Sequence, residues 1–249
     1  MSDINTILSD VWGYTSFRAG QEEIINHLLQ KKSVLAIMPT GGGKSLCFQI
    51  PALLFENQTI VVSPLVSLMN NQVIALKDVG VKAERVHSDM PDEDRIKAWE
   101  DFKKGDIKIM YISPESLMQQ SILSELKPLR ISMFVIDEAH CISTWGHDFR
   151  PDHKLLTKRT IPSLNQDASV LFCTATADEK VVEDISKKNN LTSVIAGDLY
   201  RKSLSIHSFG EQSFKFSIAI TCFPSRNLCL ILFFLISITL YSFLQTLDT

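Results

Sequence analysis

Short apolar runs rich in β-branched residues alternate with helical patterns over most of the chain. Several of these runs are apolar almost throughout, which is typical of strands buried on both faces of a parallel sheet. The pattern predicts strands at Val34–Met38, Thr59–Ser63, Lys82–His87, Ile107–Ser113, Ile131–Asp137 and Ser169–Thr174.

Helical patterns lie between these runs. The clearest, Pro91–Lys104, begins with acidic residues and ends with two lysines before Gly105, as the helix dipole and a glycine cap favour. Ser45–Phe55 and Ala177–Lys188 are also predicted to be helical. The alternation predicts an α/β fold of the doubly wound kind, in which a mostly parallel sheet is flanked by helices.

The segment IMPTGGGKSLCFQIPALL joins the first predicted strand to a helix and has the form of a phosphate-binding loop. Its pattern, G-x-x-x-x-G-K-[ST], requires glycine where this chain has Met38. Successive glycines turn backbone N–H groups toward one point, and the helix N-terminus adds partial positive charge there. Lys44 would reach the terminal phosphates, and the Ser45 hydroxyl would bind Mg²⁺. The alternative is an ordinary turn with a surface lysine. The glycines are Gly41, Gly42 and Gly43.

A second cluster of polar residues follows the apolar strand in the segment MFVIDEAH. Asp137 and Glu138 emerge at the carboxyl edge of the predicted sheet, where ligands bind in open α/β folds. Asp137 suits a role in holding Mg²⁺, and Glu138 suits the positioning of an attacking water. The alternative is an acidic helix start after a buried strand. Thr174 and Thr176, in LFCTATA, end another strand and either relay the state of the site or form only a turn.

Composition limits the classes of partner and compartment. The chain has 249 residues, of which 45% are apolar and 21% charged, and a net charge of −3. Bulk charge therefore gives no attraction to nucleic acid, and any such binding requires a local groove. The five cysteines have no metal-ligand spacing, and Cys47, Cys141 and Cys173 lie in or beside apolar runs. These features, with no secretory signal pattern at the start, favour a reducing, intracellular compartment.

Six segments together resemble motifs of the RecQ family of DNA helicases, over about residues 8–200. They are GYTSFRAGQEEII, MPTGGGKSLCFQIPAL, VVSPLVSLMNNQV, YISPESL, VIDEAHCISTWGHDFRPD and LFCTATAD. Methionine at position 38 is normal in that family, so the resemblance favours a true ATP site. It implies a RecA-like P-loop lobe that uses ATP and Mg²⁺ to drive 3′–5′ unwinding of DNA.

The resemblance also implies roles for single residues in nucleotide binding. Tyr14 would stack on adenine, Arg18 would help fix the nucleotide, and Gln21 would read the adenine edge, for which its paired donor and acceptor are suited. Thr40 joins the phosphate loop and His140 the catalytic set. Without the family, YTSFRAGQ is more typical of a capped helix start with Ser16 ahead of the run from Ala19.

Contacts with single-stranded and partly duplex DNA are implied in the same way. The segment WGHDFR resembles an aromatic-rich loop that senses single strands, by stacking and by charge. From spacing alone, its two aromatic residues are more typical of core packing. Residues near strand ends would present N–H groups to phosphates. The family has arginine where this chain has Ser116, which weakens one charge contact. The implied DNA-binding residues are Ser63, Pro64, Ser67, Ser113, Trp145, Phe149 and Arg150.

The chain changes character near its C-terminus. We expect residues 1–208 to form the ATP-binding lobe and residues 209–249 to form an atypical hydrophobic tail. Helicases of this type pair two lobes, and the second supplies an arginine finger; we find no motif of it, so we expect this chain to bind ATP without unwinding DNA alone. The uncharged stretch Leu228–Leu244 has three readings: a short membrane span, a buried core segment, or sequence appended where a helicase was interrupted. A catalytically silent nucleotide-binding module, an RNA helicase and a translocase are the functional alternatives.

Overall fold

The computed structural model describes residues 3–143, 155–165, 167–191 and 193–196. Within these residues seven strands form one sheet, in which all neighbouring strands are parallel. The order across the sheet is third, fourth, second, fifth, sixth, first and seventh. The strands are β1 (Val34–Ile37), β2 (Gln58–Val62), β3 (Ala83–Val86), β4 (Ile109–Ile112), β5 (Ile131–Ile136), β6 (Ser169–Thr174) and β7 (Ser193–Ala196).

Helices connect the strands. The longest, α4 and α5, each have 13 residues, and a 3-10 turn at Ala139–Ile142 follows β5. A π-helical stretch, Leu156–Thr160, runs directly into the short helix Ile161–Leu164. The α-helices are α1 (Ile4–Trp12), α2 (Gln21–Leu29), α3 (Leu46–Leu54), α4 (Val66–Asp78), α5 (Asp92–Lys104), α6 (Pro114–Leu117), α7 (Gln120–Leu126), α8 (Ile161–Leu164) and α9 (Glu179–Lys188).

The six predicted strands are confirmed, each to within two residues at its ends. The three predicted helices are also confirmed, as α3, α5 and α9. Gly105 ends α5 in the left-handed conformation with φ of 83°, as its predicted cap requires. The alternative of a helix capped by Ser16 is wrong, because α2 begins at Gln21 after Gly20, which is itself left-handed. β7 was not predicted.

The sheet is buried on both faces, which explains its apolar strands. Alternate residues of one strand point to opposite faces, so Leu35 of β1 packs in one hydrophobic cluster and Val34 in the other. The first cluster lies under α5, α8 and α9, and the second lies under α2, α3 and α4. Because helices cover both faces of the sheet, polar groups are carried by the loops at the carboxyl ends of the strands.

Two expectations concern residues outside this part of the chain. The hydrophobic tail, including Leu228–Leu244, lies outside the described residues, as does the whole segment WGHDFR with Trp145, Phe149 and Arg150. Among the helices that are described, none is both long and apolar enough to cross a membrane.

We predict that Phe102→Ala lowers the free energy of unfolding by about 3–5 kcal/mol, the usual cost of truncating a buried aromatic side chain. Phe102 is fully buried on α5 and meets the Trp99 ring edge to face, with centroids 5.8 Å apart. Urea unfolding measures the change. Ile96→Ala on the same helix is the control, since Ile96 is 57% exposed. A Phe102 variant as stable as that control would contradict the packing described.

Candidate functional site

The loop between β1 and α3 owes its shape to its three glycines. Gly41 and Gly43 have φ of 77° and 83°, a region in which side chains are strained. At Gly42 the backbone turns so tightly that its N–H donates to the Pro39 carbonyl at 2.8 Å, and a Cβ there would lie 2.8 Å from the same oxygen. Each of the three glycines is therefore required by the conformation of the loop: Gly41 and Gly43 by their positive φ, and Gly42 by its close approach to Pro39.

Met38, which stands where the loop pattern requires glycine, packs beneath the loop. Met38 is 2% exposed, and the Cys47 thiol on α3 lies 3.6 Å from its sulfur. The side chain thus packs inward at the end of β1, as expected from the sequence. It leaves the glycines at the surface of the loop.

An open cavity of about 180 Å³ lies beside the loop. This volume is below the range of about 300–1,000 Å³ usual for small-molecule sites, so these residues form part of a site rather than an enclosed pocket. The cavity is lined by Arg18, by the end of β1 and by the loop that follows it. The lining residues are Arg18, Ala19, Met38, Pro39, Thr40, Gly41 and Gly42.

Two side chains at the start of α2, one just before the helix and one on its first residue, hold the loop by its carbonyl groups. The Arg18 guanidinium donates to the Gly41 carbonyl at 2.5 Å, and the Gln21 amide nitrogen donates to the Gly43 carbonyl at 3.0 Å. The Gln21 amide oxygen accepts from the Arg18 backbone N–H at 2.8 Å, and the residue is 1% exposed. Gln21 is thus committed to backbone partners at both ends of its amide. Tyr14, in contrast, is 52% exposed.

The acidic pair stands where β5 ends, next to β2. The Asp137 N–H donates to the Val62 carbonyl at 2.9 Å, which extends the pairing of the two strands by one residue. The carboxylate of Asp137 accepts from the Glu138 N–H at 3.0 Å and lies 3.4 Å from the Ser63 hydroxyl. Its position at the sheet edge is the one predicted.

Asp137 is an energetically costly carboxylate. Burial raises its pKa, and the negative charge of Glu138 raises it further, while the positive charge of Lys44 lowers it. Lys44 on the glycine loop is therefore close enough to Asp137 to act on it electrostatically. Asp137 follows β5 and the loop with Lys44 follows β1. Only β6 lies between these two strands in the sheet.

His140 joins the acidic pair to the end of β6. Its Nδ1 lies 3.1 Å from the Thr174 hydroxyl and 3.3 Å from a Glu138 carboxylate oxygen. The Thr174 hydroxyl donates its one hydrogen to the Thr176 carbonyl at 2.8 Å, so it accepts from His140. This assigns the imidazole proton to Nδ1, where it also faces the carboxylate. Asp137, Glu138 and His140 of the predicted catalytic set are thus linked to the predicted coupling residues Thr174 and Thr176.

The predicted nucleic-acid residues near strand ends differ in accessibility. Ser63 is buried beside Asp137, and the Ser113 hydroxyl caps α6 and donates to the Ser116 hydroxyl at 2.9 Å. Ser67, on the first turn of α4, is exposed, and Pro64 is half-buried. Contacts of these residues with DNA remain predictions.

Sequence reasoning missed contacts that join distant segments. The bonds of Arg18 and Gln21 to the loop carbonyls span 23 and 22 residues, and a bond from Ser143 to Asp184 spans 41. For Arg18 and Gln21, the sequence predicted contacts with the nucleotide and with its adenine edge, and it did not predict these backbone contacts. For Ser143 and Asp184, neither residue stood out in any motif as a partner of the other.

We predict that Gly43→Ala destabilises the chain more than Gly41→Ala. Each replacement places a side chain in the left-handed region, at about 1–2 kcal/mol. At Gly43 the new Cβ would lie 2.4 Å from the Gln21 amide nitrogen, whereas nothing lies within 4 Å of a Cβ at Gly41. Displacing the buried amide adds about 1–3 kcal/mol. Equal unfolding free energies in urea would contradict this difference.

We predict that Asp137→Asn raises the midpoint of thermal unfolding at pH 7 by about 2–4 °C, because it removes a buried charge. Because folding raises the pKa of Asp137, the native state favours its protonated form. The stability that this carboxyl contributes is full below its ordinary pKa of about 3.9 and is lost as the pH rises through the raised value. The difference between variant and native protein should therefore shrink as the pH falls toward 4. Asp92→Asn, at an exposed site on α5, is the control.

Sequence comparisons place the chain among helicases. A family model described as DEAD/DEAH box helicase matches residues 18–185. The chain is 43% identical to the ATP-dependent DNA helicase RecQ of Haemophilus influenzae over 188 residues, which are 75% of this chain and 30% of that protein. It is 40% identical to RecQ of Pasteurella multocida, over 90% of this chain and 34% of that protein. The chain thus spans about a third of the length of these relatives.

Solved structures agree on the fold. MrfA helicase bound to DNA superposes with a TM-score of 0.61 and 18% identity, over 78% of this chain and 29% of that one. A hypothetical ATP-dependent RNA helicase from Sulfolobus tokodaii superposes with a TM-score of 0.59 and 21% identity, over 78% of this chain and 57% of that one. The predicted RecA-like lobe with a parallel sheet flanked by helices is confirmed. Since the family model covers more than half of its residues, the chain belongs to the DEAD/DEAH box helicase family.

Proposed function

We propose that this chain is the ATP-binding lobe of a RecQ-type, ATP-dependent 3′–5′ DNA helicase. The observation that carries the proposal is that the glycine loop after β1 and the acidic pair after β5 lie at one edge of the sheet, with only β6 between them. There the positive charge of Lys44 lowers the pKa of Asp137. A phosphate-binding loop beside a carboxylate that suits a metal is the arrangement needed for phosphoryl transfer to water. The RecQ relatives, at 40–43% identity, support the DNA helicase class.

Phosphate binding falls to the loop and to the start of α3. The backbone N–H groups of Gly41 and Gly43 and the helix N-terminus supply partial positive charge. The Gly42 N–H would join them only after leaving the Pro39 carbonyl, to which it donates in this structure. Lys44 adds a full charge, which would bind the terminal phosphates and hold them against the loop. The left-handed backbone at Gly41 and Gly43 gives the loop the tight turn on which this arrangement depends.

Mg²⁺ would be held by the Ser45 hydroxyl and the Asp137 carboxylate. The fit rests on the charge of Asp137, which burial and Glu138 leave poorly compensated, as its raised pKa indicates. Oxygen ligands of this kind are those that Mg²⁺ prefers. When bound, the metal neutralises negative charge that develops on the phosphates.

Water activation would fall to Glu138. Its carboxylate oxygen lies 3.3 Å from His140 Nδ1, which orients it, and His140 is in turn fixed by the Thr174 hydroxyl. The end of β6, with Thr174 and Thr176, would report the state of the site to neighbouring segments. The chemistry of the chain is then to position and orient groups around the reacting phosphate.

Tyr14 and Gln21 would recognise adenine, while Arg18 and Thr40 would help to fix the nucleotide. The exposed Tyr14 ring has a free face for stacking. Gln21 would have to exchange its bonds to Arg18 and Gly43 before it read the adenine edge. Arg18 and Thr40 already line the cavity beside the loop.

DNA is the proposed partner, as single strand or partly duplex. The contacts would come from Ser63, Pro64, Ser67 and Ser113 and from the segment with Trp145, Phe149 and Arg150. A second helicase lobe would complete the site with an arginine. The protein would act where the cell keeps its DNA, the bacterial cytoplasm or the eukaryotic nucleus.

We predict that Lys44→Ala weakens ATP binding by about 10- to 100-fold, because it removes a charged hydrogen bond to phosphate. Glu138→Gln should keep ATP affinity within about twofold and lower any hydrolysis by about 10²–10⁴-fold. The measurements are fluorescent ATP binding with Mg²⁺, and phosphate release with and without single-stranded DNA, on the 249-residue chain. Lys32→Ala, an exposed lysine before β1, is the control.

Several outcomes separate the alternatives. Unchanged ATP affinity in Lys44→Ala would overturn the nucleotide site. Stimulation by RNA but not by DNA would replace the DNA helicase with an RNA helicase. ATP binding with hydrolysis at the level of Glu138→Gln would leave a nucleotide-binding module that needs a second lobe, and strand separation by the chain alone, abolished in Lys44→Ala, would contradict that need.

A further inference from the structure

Glu138 stands in a backbone conformation that needs an explanation. Its φ and ψ are 50° and 49°, the left-handed region, which costs a side-chain-bearing residue free energy. Two other such residues, Lys31 and Asn190, follow the ends of α2 and α9, where a left-handed residue is a common cap. Glu138 follows a strand and begins a 3-10 turn, so no helix end accounts for it. Such strain persists only where the surroundings hold it.

The turn is fixed at the Glu138 end by β6. The Glu138 N–H donates to Asp137, and His140, one residue into the turn, donates to the Thr174 hydroxyl. Within the turn, the Cys141 N–H donates to the Glu138 carbonyl at 3.0 Å. These bonds fix where the turn starts but leave its far end to be held by something else.

The far end is tied to α9. Ser143 has no exposed surface, its N–H donates to the His140 carbonyl at 3.2 Å, and its hydroxyl donates to the Asp184 carboxylate at 2.7 Å. The same carboxylate oxygen forms an ion pair with Lys188, one helical turn along α9. The Asp184 and Lys188 side chains are only 15% and 19% exposed. A bond to a charged acceptor in such surroundings is stronger than one at the surface.

The helix that carries Asp184 is itself firmly placed. Val181 and Ile185 of α9 are buried in the core cluster beneath the sheet face. Asp178 caps the helix start by accepting from the Val181 N–H at 2.8 Å. Asp184 therefore acts from a fixed support, and the turn is held between β6 at one end and α9 at the other.

We propose that Asp184 is a positioning residue, which holds Glu138 in its strained conformation through Ser143 and the 3-10 turn. The proposal rests on the proposed role of Glu138 in hydrolysis. Asp184 acts on Glu138 through Ser143 and the turn, and not by contact with nucleotide or metal. Its effect is to keep the turn closed, so that the Glu138 carboxylate stays beside His140.

The chain contains a matched control on the same helix. Glu183 pairs with Lys187 at the same spacing as Asp184 with Lys188, but the Glu183 and Lys187 side chains are 63% and 75% exposed. Truncating Glu183 removes an ion pair from α9 without removing a bond to the turn. A difference between the Asp184 and Glu183 variants therefore reports what Asp184 holds beyond an exposed ion pair, and the Ser143→Ala variant isolates its bond to Ser143.

The first test is amide hydrogen exchange in the turn of the purified full chain. We expect Asp184→Ala to speed exchange of the Cys141 and Ser143 amides by on the order of tenfold, the equivalent of one buried hydrogen bond. Ser143→Ala should do the same, and the double variant should add nothing further. Asp184→Asn, which keeps an acceptor for Ser143, and Glu183→Ala should stay within about twofold of the native chain.

The second test is single-turnover ATP hydrolysis. Asp184→Ala should lower the maximal rate by about tenfold and leave the ATP concentration for half-maximal rate within about twofold, with recovery in Asp184→Asn. A role in folding alone would lower the active fraction or weaken ATP binding without this split.

Each measurement has an outcome that overturns the proposal. Exchange in Asp184→Ala equal to that in Glu183→Ala, or additive effects of the Ser143 and Asp184 changes, would contradict the link. Asp184→Asn behaving as Asp184→Ala would assign the effect to charge and not to the Ser143 bond. Unchanged ATP affinity in Lys44→Ala would overturn the proposed function, and hydrolysis by the native chain no faster than by Glu138→Gln would show that hydrolysis needs a second lobe. In both cases the exchange data still decide the positioning.

Discussion

Parallel strand pairing is the constraint on which the site depends. Because all seven described strands run in the same direction, their carboxyl ends meet at one edge of the sheet. The order β2-β5-β6-β1 then brings together groups far apart in sequence, from Ser63, Asp137 and Thr174 to the loop with Lys44. No one segment forms the site. It is a product of register and strand order, which the buried apolar faces of the sheet enforce.

The site also shows where folding and function oppose each other. Asp137 occupies a half-buried position that raises its pKa, and Glu138 beside it has a strained backbone. The left-handed glycines of the loop add positions at which no other residue fits well. Such local costs are offset by the two hydrophobic clusters that sandwich the sheet. The core thus supplies the stability that allows polar groups to stay in unfavourable places.

Most of the fold could be predicted, because buried parallel strands have nearly continuous apolar runs between turn residues. β7 escaped prediction since its four residues, SVIA, form a short edge strand in which only Ile195 is buried. The phosphate loop and acidic pair were predictable because their chemistry requires fixed residue types at short spacing. The backbone contacts of Gln21 and the Ser143–Asp184 bond were not, since they depend on how separate helices pack, which no local pattern encodes.

The sulfur contact beneath the loop has a consequence for redox chemistry. Burial raises the pKa of the Cys47 thiol to about 12, so almost none of it is thiolate at neutral pH. Oxidants and electrophiles attack the thiolate, and this cysteine therefore offers them little to react with. Met38, 2% exposed, is shielded in the same place. The two sulfur atoms directly under the phosphate loop therefore react poorly with oxidants. Cys47 is protected because its thiol stays protonated, and Met38 because it is buried.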